Sequence, residues 1–211
     1  MDASSSTQGA RENKDEDYWR YRPLVKAALR GDWDSAKRFF DQDPDSLTAH
    51  ITSKKETALH VAIKNGRSIE FVEKLLDLMP PGALALPTIF GETALYSAAQ
   101  YGNTKAAVIL VEKHPASLHI GNNENWLPLH SAANNGYKDT LLYLLSVTKE
   151  DDPASKPFAY PSGTLLLCQV VDSEFYDLNI ALLGLLELRD DDLREMLREG
   201  NFDGDGALNQ M

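Results

Sequence analysis

One cysteine, Cys168, stands among the 211 residues, so no disulfide can form within the chain and a reducing, intracellular setting is expected. Long hydrophobic runs are missing too. The longest, Ala181 to Leu186 with its flanks, meets Glu187, Arg189 and Asp190, well short of a membrane span. The first seventeen residues, MDASSSTQGARENKDED, contain no apolar stretch, which excludes a secretory signal and predicts a disordered polar N-terminus over 1–17. A basic surplus is lacking as well: 21 Lys and Arg against 32 Asp and Glu leave a net charge of -11. Binding to phosphate backbones needs clustered cations, so no nucleic-acid partner is expected. Neither a Gly-rich phosphate loop nor a GxSxG or kinase-type set is found, and the chain reads as no enzyme.

What the sequence has is hydrophobic residues, 43% of the total, arranged in a repeat. KETALHVAIKNG at 55–66 returns as GETALYSAAQYG at 91–102 and again as WLPLHSAANNG at 126–136. Anchors at Leu24, Leu59, Leu95 and Leu129 are 35, 36 and 34 residues apart. A fifth, weaker copy begins near Gly163, its register open by one residue. Such a period indicates stacked helical units.

Each copy reads as a short Ala-rich helix, a second apolar helix and a polar link. Gly66, Gly102 and Gly136 end the first helices at left-handed caps, and Thr57 and Thr93 stand at N-caps. Ala62, Ala98, Ala99, Ala132 and Ala133 are small enough for neighbouring helices to approach closely. In the second helices, SIEFVEKLLDLM (68–79) and TKAAVILVEKH (104–114), Phe71, Val72, Leu75 and Leu76 fall on one buried stripe. Trp33, at the start of another second helix, is expected to be packed. The link 148–163, with three prolines, reads as an extended surface excursion. Residues 190–199, DDDLREMLRE, are expected to form a capping helix whose Leu193, Met196 and Leu197 cover the apolar end of the stack, with a frayed tail beyond them.

TALHVAIKNG, TALYSAAQYG and LPLHSAANNG resemble the ankyrin T-P-L-H-x-A-A-x-x-G core, with the proline present only as Pro23 and Pro128. More narrowly, PLVKAALRGDW (23–33), SIEFVEKLLDLMPPGAL (68–84), GNTKAAVILVEKHPASL (102–118) and YLLSVTKEDDP (143–153) resemble the ankyrin array of the plant ankyrin–PGG family, of the accelerated-cell-death and salt-tolerance type. The resemblance implies an all-α ankyrin-repeat solenoid of about five helix-turn-helix units over 18–187, divided near 52, 88, 122 and 158, with the cap and tail at 188–211. It also implies intracellular defence or stress signalling. Arrays of that family precede membrane helices, and none follows residue 190 here. Two expectations follow: a cytoplasmic scaffold, or the cytosolic head of a longer membrane signalling protein whose spans this chain lacks. A self-associating module is the third.

The same resemblance gives His60 and His130 a structural place, with the ring bonding backbone between units; Tyr96 takes that place in the third copy, through its hydroxyl or by filling the gap. His50, His114 and His119 show no ligand spacing, and Cys168 among leucines and valine reads as a small apolar residue. DGDG at 203–206 resembles part of a calcium loop, but ALNQM brings no closing Glu, so no metal site or cofactor is expected. The carboxylate runs at 41–45, 150–152 and 190–192 read as solvated ends and helix starts.

In ankyrin units the link before each first helix forms a finger, and fingers line one concave face. On this template the face comprises Tyr18, Trp19, Tyr21 and Arg30, then Ser53, Lys54, Glu56, Lys64 and Asn65. It continues through Ile89, Phe90, Glu92, Gln100 and Tyr101, then Asn123, Glu124, Trp126, Asn134 and Asn135. Exposed aromatics bordered by polar residues are what protein interfaces use, so a protein partner of unknown identity is expected there, and no small-molecule substrate.

Overall fold

The computed structural model describes residues 19–149, 155–159 and 161–175. Outside them lie the polar N-terminus with Tyr18, residues 150–154 and 160 of the long link, the second half of the fifth unit, and the expected capping helix and tail. Among the described residues there are helices and turns and no strand.

The helices come in pairs. α1 (19–30) precedes α2 (Trp33–Gln42); α3 (Ala58–Asn65) precedes α4 (Ile69–Leu78). α5 (Ala94–Gln100) pairs with α6 (Thr104–Lys113), and α7 (Pro128–Asn134) with α8 (Lys138–Val147). α9 (Ser162–Asp172) opens the fifth unit. First helices stack in the order α3, α5, α7, α9, and second helices α4, α6, α8 form a parallel layer behind them. Such a stack can grow only if each unit buries its neighbour's apolar face.

That burial follows the repeat. Leu24, Leu59, Leu95 and Leu129 are each at most 1% exposed, and each contributes about 1.5–3 kcal/mol of apolar burial. Ala62, Ala98, Ala99, Ala132 and Ala133 are buried beside them, and their small side chains set the close spacing of α3, α5 and α7. Phe71, Val72, Leu75 and Leu76 fill the layer between α4 and its neighbours. Trp33 packs edge-on against Phe71, ring centroids 5.6 Å apart. In the fifth unit Leu166 is fully buried and α9 packs on α7.

Local chemistry starts and stops each helix. The side chains of Asp32, Ser68, Thr93 and Asn103 accept from the amides of Ser35, Phe71, Tyr96 and Ala106, each at an N-cap. The links after α2, α4 and α6 open on proline-led 3-10 turns, Pro44–Leu47, Pro81–Ala85 and Pro115–His119, where a missing amide costs nothing. Gly66 (φ 62°), Gly102 (φ 65°) and Gly136 (φ 72°) turn the chain between paired helices. At Gly102 the requirement is double, because a Cβ there would sit 2.3 Å from the Tyr137 ring of the next unit. Asn103 Nδ2 and Ser173 Oγ reach back to the Ile63 and Ala133 carbonyls, satisfying helix ends in the preceding units.

Of the long link, residues 155–159 are described. Phe158 packs against the core, so this part of the excursion is held to the stack.

A candidate partner-binding face

Three fingers precede α3, α5 and α7: residues 52–56, 88–92 and 122–126. Each closes a tight turn, with Lys55 N donating to Thr52 O, Gly91 N to Thr88 O and Asn125 N to Asn122 O. The fourth position of each finger is left-handed: Lys55 (φ 56°), Gly91 (φ 78°) and Asn125 (φ 63°). The first position supplies a side-chain oxygen to the turn's amides. Thr52 Oγ1 accepts from Glu56 N, Thr88 Oγ1 from Phe90 N and Glu92 N, and Asn122 Oδ1 from Glu124 N and Trp126 N. Ile89 N donates to Lys54 O at 3.0 Å and Asn123 N to Phe90 O at 2.9 Å, which joins the tips into one ribbon. A Cβ on Gly91 would lie 2.7 Å from Asn123 N, so close stacking of the tips requires glycine there.

Beneath the ribbon, the first helices grip the following finger. His60 Nδ1 accepts from Thr57 N, and its Nε2 donates to Glu92 O at 3.2 Å. His130 likewise accepts from Leu127 N, and its Nε2 donates to Ser162 O at the start of α9. Both rings are thereby neutral, and burial lowers each pKa to about 4. Tyr96 departs from this pattern: its hydroxyl accepts from the side-chain amide of Asn122 at 3.1 Å, a finger side chain rather than backbone.

Between the second and third units the space under the fingers is filled by Lys64. Its Nζ lies 2.7 Å from Glu56 Oε1, 3.8 Å from Glu92 Oε2 and 5.3 Å from the centre of the Tyr101 ring. Burial, the largest single influence, opposes charge on both partners, but their mutual hydrogen bond, the Thr52 bond to Glu56 and the neighbouring charges together outweigh it, lowering the Glu56 pKa and raising that of Lys64. One unit later the position of Lys64 is taken by Gln100, which donates to Glu92 Oε1 at 3.1 Å. Here the face opens into a groove of about 430 Å³, lined by Phe90, Glu92, Tyr96, Gln100, Asn122, Asn123, Glu124, Trp126, Asn134 and Asn135.

The residues named from the sequence thus divide into three groups. Phe90, Glu92, Gln100, Asn123, Glu124, Trp126, Asn134 and Asn135 line that single groove. Lys54, Glu56, Ile89 and Tyr101 lie beside it around the Lys64 cluster, with Ile89 45% and Tyr101 45% exposed. Trp19 and Tyr21 lie on α1, not on a finger; Trp19 is exposed, whereas Tyr21 packs against Phe39 with ring centroids 6.1 Å apart. Tyr18 lies outside the described residues. Asn122 and Tyr96 line the groove without having been named for it. Asn122 could have been found, since it repeats the place of Thr52 and Thr88.

The remaining chemistry-bearing residues have local roles. His50, His114 and His119 bond Lys55 O, Ser117 Oγ and Ser155 Oγ. Cys168 is half-buried, and burial followed by the Asp172 charge raises its thiol pKa, which disfavours the thiolate. Among the described residues no group of His, Cys, Asp and Glu is placed to hold a metal ion, and no helix is long and apolar enough to cross a membrane.

Residues 78–156 match the family model of ankyrin repeats (three copies). Residues 78–156 carry ankyrin repeats. Its stacked helix pairs form an all-α ankyrin solenoid, and ankyrin repeats are in general protein–protein interaction modules. Mouse protein phosphatase 1 regulatory subunit 27 is 33% identical over 113 residues, 54% of this chain and 64% of that protein. Zebrafish Notch-regulated ankyrin repeat-containing protein A is 39% identical over 59 residues, 28% of this chain and 52% of that protein. The Arabidopsis calcium-binding protein PBP1 is 67% identical over 30 residues, 14% of this chain and 24% of that protein. The ankyrin chain therefore spans less than two thirds of the length of each of these relatives.

Proposed function

We propose that this chain is a non-enzymatic ankyrin scaffold that binds a protein partner through the finger face, centred on the groove between the third and fourth units. The observation that carries this reading is the convergence of eight sequence-chosen residues on one groove containing Phe90, Tyr96 and Trp126. A rigid stack offers such a surface with little ordering cost, and exposed Phe90 and partly exposed Trp126 supply the anchors. The resemblance to plant ankyrin–PGG arrays supports a role inside the cell, in defence or stress signalling. The cytosolic head of a longer membrane protein is the alternative within that resemblance, and four hydrophobic segments in the downstream reading frame would favour it.

The test is capture of partners from plant tissue with the wild-type chain and with Phe90→Ala and Trp126→Ala, followed by affinity measurement on the purified partner. Each substitution is expected to weaken binding by about 1–3 kcal/mol while helical content and melting stay intact. Unchanged affinity in both folded variants overturns the reading.

A second reading concerns the C-terminal sequence. Asn201, Asp203, Asp205 and Gly206 fit positions one, three, five and six of a calcium loop, and a calcium-binding protein is among the relatives. On this reading NFDGDGALNQM is a calcium-loop segment whose closing position would follow Met211. Calorimetric titration with calcium chloride tests it. Weak binding, with Kd of about 1 mM, that disappears in Asp203→Asn/Asp205→Asn supports it, and no heat at that concentration overturns it.

A further inference from the structure

The junction between the second and third units contains its own cation, and the next junction does not. Lys64 sits between Glu56 and Glu92, with its Nζ 5.3 Å from the centre of the Tyr101 ring. One unit on, Gln100 replaces Lys64, and no Lys or Arg lines the groove that results. Two carboxylates remain there. Glu92 is 7% exposed, and its nearest cation is Lys64, 3.8 Å away and engaged more closely by Glu56. Glu124 is exposed and makes no ion pair among the described residues. Both carboxylates line the same groove as Tyr96, whose phenol pKa burial raises most and their charges raise further. The chain as a whole carries -11, which draws cationic segments toward it.

Resting on the reading of this face as a partner site, we propose that the groove receives an arginine side chain from an extended segment of the partner. The guanidinium enters the groove beside Gln100, stacked on Trp126 and paired with Glu124. A planar cation suits this site better than a lysine, because it stacks on an aromatic ring and donates in a fork to a carboxylate at the same time. Gln100 and Asn134 border the site and supply amides to the segment's backbone.

The probe is acetyl-Gly-Ser-Arg-Ser-Gly-amide, with citrulline in place of arginine as the uncharged isostere. Titration is followed on the indole N–H signals of the intact chain, whose three tryptophans are Trp19, Trp33 and Trp126. The arginine peptide is expected to shift the Trp126 signal and leave that of Trp33 in place. Glu124→Gln should weaken binding about fivefold, and Gln100→Lys, which restores an internal cation, should weaken it further. Equal binding of the citrulline peptide, or no Trp126 shift at about 10 mM peptide, overturns the arginine assignment. The two readings fail separately. A partner lost on Trp126→Ala but indifferent to Glu124→Gln leaves the docking face standing and removes the arginine, whereas a partner indifferent to both removes the face itself.

Discussion

The junction between the second and third units and the junction between the third and fourth are built from nearly the same sequence, yet one is closed and the other open. In the first, Lys64 joins Glu56, Glu92 and Tyr101, and His60 bonds the next finger's backbone. In the second, Gln100 and Tyr96 stand in those places, and a groove of about 430 Å³ remains under Trp126. The exchange of Lys64 for Gln100 and of His60 for Tyr96 accompanies the change from a closed seam to an open groove. An internal cation satisfies its own carboxylates and leaves nothing to recruit, while an amide leaves the charge for a ligand.

The widest contrast between the junctions is in acid. His60 and His130 have folded-state pKa values near 4, below the 6.5 of an unperturbed imidazole. The unfolded chain thus binds these protons first. Stability from the two rings is complete above pH 6.5 and is lost as pH falls toward 4, by roughly 3 kcal/mol for each histidine. Urea midpoints measured across this range should show the loss. Tyr96 takes no part in it, so Tyr96→His should steepen the acid dependence and Tyr96→Phe should leave it unchanged; equal slopes in all three chains would erase the distinction.

Backbone packing provides the next effect. Gly102→Val places a Cβ against the Tyr137 ring at a φ of 65° and should cost about 2–4 kcal/mol in chemical denaturation. Gly136 has the same backbone sign but no neighbour within 4 Å, so Gly136→Ala should cost only about 1 kcal/mol. Similar costs at the two positions would show that unit-to-unit contact adds nothing at Gly102.

Removing the cation from the closed junction tests it directly. Lys64→Gln removes the charge beside largely buried Glu56 and leaves it the Thr52 hydroxyl and an amide of the kind Gln100 gives Glu92, and should cost about 1–2 kcal/mol, less at low pH where Glu56 protonates. The reverse exchange, Gln100→Lys, should change stability by under about 1 kcal/mol, since a lysine there meets Glu92 and gains little beyond what Gln100 already gives. Its signature is functional: the groove is filled from within and arginine binding falls.

Much of the fold was legible because the period of the apolar anchors is itself the architecture. Leu24, Leu59, Leu95 and Leu129 are where the repeat put them, and the glycines end the helices they were expected to end. Finger residues of the third and fourth units, Phe90 and Trp126 among them, line one groove together with Gln100. The first unit was harder to read. No finger precedes α1 among the described residues, so Trp19 and Tyr21 are helical, and the helix turns Tyr21 toward Phe39. Asn122 was passed over because its role depends on two turn amides and on the Tyr96 hydroxyl across the junction, none of which leaves a mark in composition.

Sequence alone determined that this chain is a stack of paired helices, because apolar periodicity, N-cap residues and glycine stops act within some forty residues of each other. It also marked positions on the fingers before α3, α5 and α7. Only the tertiary structure decided which of those positions close on themselves and which stay open. That outcome depends on whether a cation from one unit can reach the carboxylate of the next, as Lys64 reaches Glu92 at 3.8 Å and Gln100 does not supply. Charge pairing between units is set by distance in space, and the repeat fixes only the distance along the chain.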